Sequence, residues 1–259
     1  QKKSLGYSIQ EVKGQTLVES REVNLVNDLS AKVSGLQVVR SGNGPGGSSQ
    51  ILLRGNNSLT GASQPLIVVD GVPMDNSTGR VGIGSTNDFW NPSLDMGNGL
   101  SDINADDIAS ISVLKGPAAA ALYGSNAANG AIVITTKRGQ VGKLQVTVNS
   151  NTEFARPFVL PEFQNRYGTG SRGKDGGSTI LSWGAKLNDA SRTNYEPKDF
   201  FDTGLIFTNS VTLSTGTEKN QTFFSVASVN SEGIVPNNRY NRFNFTFRNT
   251  TNFLNDRMK

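Results

Sequence analysis

The chain has 259 residues, 29 of them glycine, and a formal net charge of +4 at pH 7. It holds no cysteine and no histidine, which excludes the usual zinc sites, thiol nucleophiles and imidazole general bases. Lys and Arg are scattered along it, mostly singly, unlike the clustered cations of a nucleic-acid binder, so no nucleic acid is expected as a partner.

No apolar run approaches the roughly 18–20 residues of a transmembrane helix. The longest are 66–69, 118–122 and 131–134. Transmembrane strands are not excluded, because their mean hydropathy is low. The chain opens Gln1-Lys2-Lys3 with no secretory signal and is expected to begin inside a longer precursor.

Residues 5–12 alternate and are expected as a first strand. Val26, Leu29 and Val33 recur at helical spacing. With Asn24 as cap and Gly35 as left-handed closure, this predicts a helix over 24–34. Strands are expected at Leu36–Arg40 and 49–54, joined by a flexible turn at 41–49 (SGNGPGGSS). That turn lacks the Lys-Ser/Thr and following helix of a phosphate loop. Leu66–Val69 is apolar at every position, so burial on both faces is expected before Asp70-Gly71 breaks the strand. Asp70 reads there as a turn-capping residue. After an irregular stretch at 75–102, a strand is expected at 108–115. A short helix follows, opened by Gly116-Pro117, running through Leu122 and ending near Gly124. A strand at 131–137 completes a small mixed unit that ends near Gly139. Asp95, Asp102, Asp106 and Asp107 do not have the spacing of a calcium loop, and no metal is expected. Asp106 and Asp107 are placed to favour a helix start.

Beyond Gly139 the texture changes to close alternation. Leu144, Val146, Val148 and Phe154 fall on one face, against Lys143, Gln145, Thr147, Asn149 and Asn151. Phe243, Phe245 and Phe247 repeat this against Arg242, Asn244, Thr246 and Arg248, and 207–215 and 222–230 are similar in length. The pattern alone fits a water-filled membrane barrel and a soluble sandwich equally well.

From Ile51 the chain reads ILLRGNNSLTGASQPLIVVDGVP, and before Gly139 it reads INADDIASISVLKGPAAAALYGSNAANGAIVITTKRG. This ordered series resembles the plug domain of TonB-dependent outer-membrane transporters. LLRGNNSLTG followed by PLIVVDGVP is similar to the SusC/RagA branch of that family. LPEFQNRYGTGSRG (160–173), SWGAKL (182–187), DFFDTG (199–204), TNSVTLSTGTE (208–218) and NSEGIVPNNRYNRFNF (230–245) resemble the first barrel segments of SusC-like proteins. The resemblance thus covers essentially the whole chain. It implies an α+β plug domain over 1–139, with a mixed sheet and short helices. The first antiparallel strands of a transmembrane β-barrel then follow over 140–259. Family barrels have about 22 strands. Residues 140–259 have room for about four at ~9–11 residues each, so a fragment of a larger plugged barrel is expected.

The function this implies is TonB-dependent import of oligosaccharides or peptides across the Gram-negative outer membrane, the plug gating the barrel. The implied partners are a SusD-like surface lipoprotein as lid, outer-membrane lipid, and TonB, reached through a segment expected before Gln1. No cofactor and no enzyme activity are implied, and no carboxylate pair or serine sits in a catalytic motif. Two alternatives stand beside it: a TonB-dependent receptor for a metal chelate or vitamin, and a non-transporting surface adhesion or scaffold protein.

The resemblance also implies roles for individual residues. Arg54 and Lys115 are expected as plug-to-barrel contacts, with a solvated strand-end charge as the alternative for Arg54. The connections 56–64 and 75–102 are expected to face substrate, through Asn56, Asn57, Ser58, Asn76, Arg80, Asn87, Asp88, Phe89, Trp90 and Asn91. Phe89 and Trp90 are placed either to stack on a sugar or peptide or to pack the loop against plug or wall. There are two departures. Ser112 stands where relatives carry an acid that ties plug to barrel, and Gly116 stands where an Asp often follows the Lys. Ser112 therefore leaves the site of that tie open.

Overall fold

The computed structural model describes residues 9–19, 24–41, 44, 46–56, 63–76, 80–81, 94–95, 97–175, 180–188 and 196–252. They divide into two compact units. One joins the chain through Glu153 with 206–232 and the segment from Arg239, and the other is built of 154–205 and 233–238.

The first unit opens with β1 (Ile9–Lys13), the single turn α1 (Gly14–Val18) and α2 (Leu25–Ser30). Asn24 caps α2 as its sequence suggests, its Oδ1 accepting from the Val26 N–H at 3.2 Å. The helix is shorter than the expected 24–34. The N–H groups of Lys32 and Val33 both turn back onto the Leu29 carbonyl, and Gly35 takes a φ of 71°. Val33 stays buried although it has left the helix. The strands β2 (Leu36–Arg40) and β3 (Ser49–Leu53) then pair antiparallel.

Next come β4 (Leu66–Val69) and β5 (Val72–Met74). Asp70 and Gly71, at φ 50° and 89°, supply the paired left-handed residues that favour a tight hairpin, so the expected break instead folds the strand back on itself. The strands β6 (Arg80–Val81) and β7 (Leu94–Asp95) make a minimal pair. Two 3-10 turns, Gly99–Asp102 and Ala105–Asp107, lead into β8 (Ile108–Leu114), α3 (Pro117–Tyr123) and β9 (Ala131–Thr136). Pro117 begins α3, and Gly124 closes it with its N–H on the Ala120 carbonyl.

These strands form a sheet in the order β1-β8-β9-β4-β5. β4 runs parallel to β9 and the other neighbours are antiparallel, which gives the expected mixed sheet. Leu17, Leu25, Val26, Leu29, Ile51, Ile67, Ile111 and Ile134 share one core cluster, and Leu114, Ala119, Ala127 and Ala131 form a second beside α3. Successive residues Ile67 and Val68 point to opposite faces and are both fully buried, as the all-apolar β4 requires.

The chain continues into β10 (Gly142–Ala155), β11 (Gly170–Ser171), β12 (Lys174–Asp175), β13 (Gly204–Gly216), β14 (Asn220–Glu232) and β15 (Arg239–Thr251). The four long strands neighbour one another in chain order, β10-β13-β14-β15. A strand of 13 residues such as β15 crosses a hydrocarbon core when tilted by ~45°, since each residue advances ~3.4 Å and the core is ~30 Å thick. Phe243, Phe245 and Phe247 are 76%, 72% and 63% exposed, while the residues between them are partly covered. Register sets Phe224 opposite Phe247 and Val226 opposite Phe245. The rings of Phe224 and Phe245 meet edge-to-face at 5.2 Å, extending the apolar band across two strands.

The second unit contains β11 and β12 and a tight array around Gln164. The Gln164 amide donates to the carbonyls of Tyr167 (3.0 Å) and Ser182 (2.8 Å) and accepts from the N–H groups of Arg166 and Tyr167. A Cβ on Gly184 would lie 2.3 Å from the Thr169 carbonyl oxygen, so only glycine fits there.

Candidate functional site at the plug-to-strand seam

Four alternate residues of β15, Arg242, Asn244, Thr246 and Arg248, bond to the amino-terminal part of the first unit. Arg242 donates to the Ser101 carbonyl and Asn244 to that of Asp102 (2.6 Å). The Thr246 hydroxyl donates to Asp107 Oδ2 (2.8 Å), and Arg248 pairs with Asp70. This row is the polar face of the alternation that leaves the three phenylalanines outside. The neighbouring strands add Ser210, whose hydroxyl donates to Asp106 Oδ2 at 2.5 Å, and Asn149, whose amide donates to Asp106 Oδ1 at 3.1 Å.

The acids sit at turns because turns aim short side chains outward from the sheet. Asp106 and Asp107 occupy a 3-10 turn capped by Asn104, whose Oδ1 accepts from the Asp106 N–H at 3.2 Å. Both are about 95% buried. The expectation that they favour a helix start is met locally, but their carboxylates are used elsewhere, as the tie between plug and strands. Asp70 sits in its turn as expected, but its carboxylate reaches across to β9 instead of capping that turn, accepting from the Thr136 N–H (3.0 Å) and hydroxyl (2.7 Å), and it holds Arg248 as well. Burial pushes its carboxyl up, but the hydrogen bonds from Arg248 and Thr136 outweigh that and hold it below the usual carboxylate range.

The other acids are separated. Asp95 accepts from the Ser48 N–H (2.9 Å) and hydroxyl (3.0 Å) and from the Gly97 N–H (2.9 Å), pinning the glycine-rich connection between β2 and β3. Burial raises its carboxyl, and the bonds from Ser41, Ser48 and Gly97 prevail, lowering it to about 2. Gly46 of that connection lies against the Tyr240 ring, where an added Cβ would come within 2.7 Å. Among the described residues, no three acids gather around a common point fit for a metal ion.

Lys115 donates to the Ser34 carbonyl (2.6 Å) and hydroxyl (3.1 Å) and to Gln10 Oε1 (3.4 Å), all within the amino-terminal part. Arg54 is exposed, at a φ of 63°, and an added Cβ on Gly116 would lie 3.2 Å from its guanidinium. Asn56 is exposed and accepts from the Ser63 hydroxyl. Asn76 is buried, bridging Gln64 Oε1 (3.2 Å) and the Leu100 N–H (3.1 Å). Arg80 begins β6, opposite Asp95. Asn57, Ser58, Asn87, Asp88, Phe89, Trp90 and Asn91 lie outside the described residues. Ser112 lies within β8, opposite Glu11 and Val133. The seam ties lie instead at Asp70, Asp106 and Asp107.

Beside Asp106 the seam opens into a cavity of about 750 Å³. Its walls are α1, the start of β8, the 137–140 linker and the inward faces of β10, β13 and β14.

A mixed-sheet plug fastened to the polar face of long, two-faced strands in chain order is the architecture of a plugged outer-membrane barrel. The model for the TonB-dependent receptor plug domain matches residues 1–131, and the chain belongs to that family. It is 32% identical over 255 residues to the TonB-dependent receptor SusC of Bacteroides thetaiotaomicron, a match covering 97% of this chain and 23% of SusC. It is 28% identical over 240 residues to the TonB-dependent receptor P26 of Formosa agariphila, covering 89% of this chain and 22% of P26. Among solved structures, it is similar in fold to a chain of the RagAB peptide importer in its "closed-closed" state. The TM-score is 0.70 at 18% identity, over 97% of this chain and 29% of that one. The chain spans less than a quarter of the length of these curated relatives.

Proposed function

We propose that residues 1–139 gate, and residues 140–259 begin the wall of, an importer in the Gram-negative outer membrane that draws energy from TonB. In this reading the substrates are oligosaccharides or peptides, and a SusD-like surface lipoprotein closes over the outer mouth. Connections 56–64 and 75–102 form the floor of the substrate cavity, with Asn56, Arg80 and Trp90 among the residues offered to ligand. Arg54 and Lys115 contact parts of the barrel beyond β15.

The observation that carries this reading is the chemistry of the seam. Asp70, Asp106 and Asp107 meet Arg248, Ser210, Asn149 and Thr246 through hydrogen bonds and one ion pair. Such contacts exchange readily for contacts with water, so the seal is able to open and re-form, whereas an apolar seam would cost much more to expose. Substrate binding above the plug and a pull from the periplasm would then break these ties in turn.

The test is uptake of labelled oligosaccharides and peptides by cells producing the intact transporter, with and without TonB and the partnering lipoprotein. The account expects uptake that vanishes without TonB. Uptake of a ferric chelate alone would favour the metal-chelate receptor, and substrate capture with no entry would favour an adhesion protein.

A further inference from the structure

The edge of the plug sheet nearest the chain start is held differently from the rest. The seam ties come from Asp70 and from residues 101–107. β1 lies at one edge of the sheet, with β8 as its neighbour. Residues 9–18 bury two large apolar side chains, Val12 and Leu17, whereas β8 alone buries Ile108, Ile111, Val113 and Leu114. α1 lies between the core and the seam cavity. Leu17 belongs to the core cluster, while Gln15 and Val18 line the cavity. The turn therefore has an open space, not a packed layer, on its wall side.

A polar clasp makes up for this thin core. Gln10 Nε2 donates to the Lys32 carbonyl at 2.8 Å. Its Oε1 accepts from the Ser34 N–H (3.0 Å) and hydroxyl (3.1 Å), and from the Lys115 ammonium at 3.4 Å. The Lys32 ammonium in turn donates to the Thr16 carbonyl, so the corner between α2 and β2 grips both β1 and α1.

We propose that β1 and α1 form a strap, closed by the Gln10 clasp, that leaves as one unit before the seam opens. A pull from the chain start reaches Gln10 after a single strand pair, Ile9 with Leu114. The clasp is made of partly exposed hydrogen bonds, which exchange readily for bonds to water. Once it parts, a short edge pairing and two buried side chains are what remain. Departure of α1 removes one wall of the cavity and admits water to the tie of Asp106 with Ser210 and Asn149. Release of the strap thus prepares release of the seam. This inference rests on the importer reading above.

The test uses the intact transporter in cells, where one introduced cysteine is the chain's sole thiol. Leu17→Cys, at a fully buried position, reports on the strap. Ser225→Cys reports on the seam: it is 1% exposed and lies opposite Thr246 in the inward row of β14. Should Leu17→Cys fail to reach the membrane folded, Val12→Cys reports on the same segment. Labelling by a small maleimide is timed with and without TonB, in cells supplied with labelled oligosaccharides and peptides. During TonB-dependent uptake, Leu17→Cys is expected to react at least about tenfold faster than Ser225→Cys. Without TonB, adding Gln10→Met is expected to speed labelling of Leu17→Cys about five- to thirtyfold and to leave Ser225→Cys within about twofold. Glu11→Gln, an exposed change on the same strand, is expected to leave both rates unchanged. A general loss of plug stability speeds both reporters together. Equal labelling of the two reporters during uptake, equal acceleration of both by Gln10→Met, or acceleration of neither overturns the strap while leaving TonB-dependent import intact. No uptake, or uptake that persists without TonB, overturns the importer reading itself.

Discussion

Replacing Asp106 with alanine removes the acceptor for both Ser210 and Asn149 and leaves their donors facing a small gap at the seam. Hydrogen bonds to a charged group contribute about 1.5–3 kcal/mol each, and Asn149 retains a weaker contact of 3.4 Å to the Ser210 hydroxyl. Allowing for that residual contact and for water entering the adjoining cavity, the seated plug loses about 2–4 kcal/mol. With ~1.4 kcal/mol per tenfold, unseated plug becomes roughly 30- to 700-fold more frequent. The assay is conductance of the purified intact transporter in a planar bilayer during a urea titration, with the onset of channel opening as readout. At ~1–3 kcal/mol per molar urea, the onset is expected to fall by about 1–2 M. Asp106→Asn keeps one acceptor and loses the charge, so its onset is expected to fall between the two. An unchanged onset for Asp106→Ala, in protein shown to be folded, would refute the claim that this carboxylate holds the plug to the wall.

Asp95 predicts a pH dependence. Its folded carboxyl lies near 2, below its ordinary 3.8, so its contribution is present above about pH 4 and is lost as pH falls toward 2. After allowance for solvent screening this amounts to about 1–2 kcal/mol, and Asp95→Asn is expected to flatten the fall in melting temperature between pH 5 and pH 3. On the exposed face, Phe245→Arg places a cation in the apolar band and removes the edge-to-face contact with Phe224. It is expected to cost about 2–4 kcal/mol of strand insertion, read as folded fraction on a heat-modifiable gel in lipid, while the same change at Asn241, beyond the phenylalanine row, is tolerated.

How much the sequence reveals depends on how local each interaction is. α3 is legible because Pro117 and Gly124 act within a few residues of the helix they bound. β15 is legible because its period-two row repeats without a gap. α1 escapes detection because one turn, GQTLV, carries no periodicity. β5 escapes because Pro73 reads as a strand breaker, although its position in an edge strand removes that objection. The seam is hardest to read. Asp106 meets Ser210 and Asp70 meets Arg248 across 104 and 178 residues. No local pattern announces such pairs. The available signal was indirect: a polar row with two arginines on β15, and a set of plug acids that no metal-loop spacing explained. Asp95 ends β7, whereas Asp106 and Asp107 sit in the 3-10 turn before β8, and that difference of element separates them.

The chain contains no cysteine, so a staple across the seam meets no other thiol within it. Cysteines replacing Asp107 and Thr246, whose side chains meet at 2.8 Å, are to be bridged in cells by a short, reducible bifunctional thiol reagent. Uptake of labelled substrate is then followed before and after reduction. If the plug gates the barrel by leaving this seam, bridged transporter binds substrate at the surface but imports none, and reduction restores import. Undiminished import through fully bridged transporter would contradict the account.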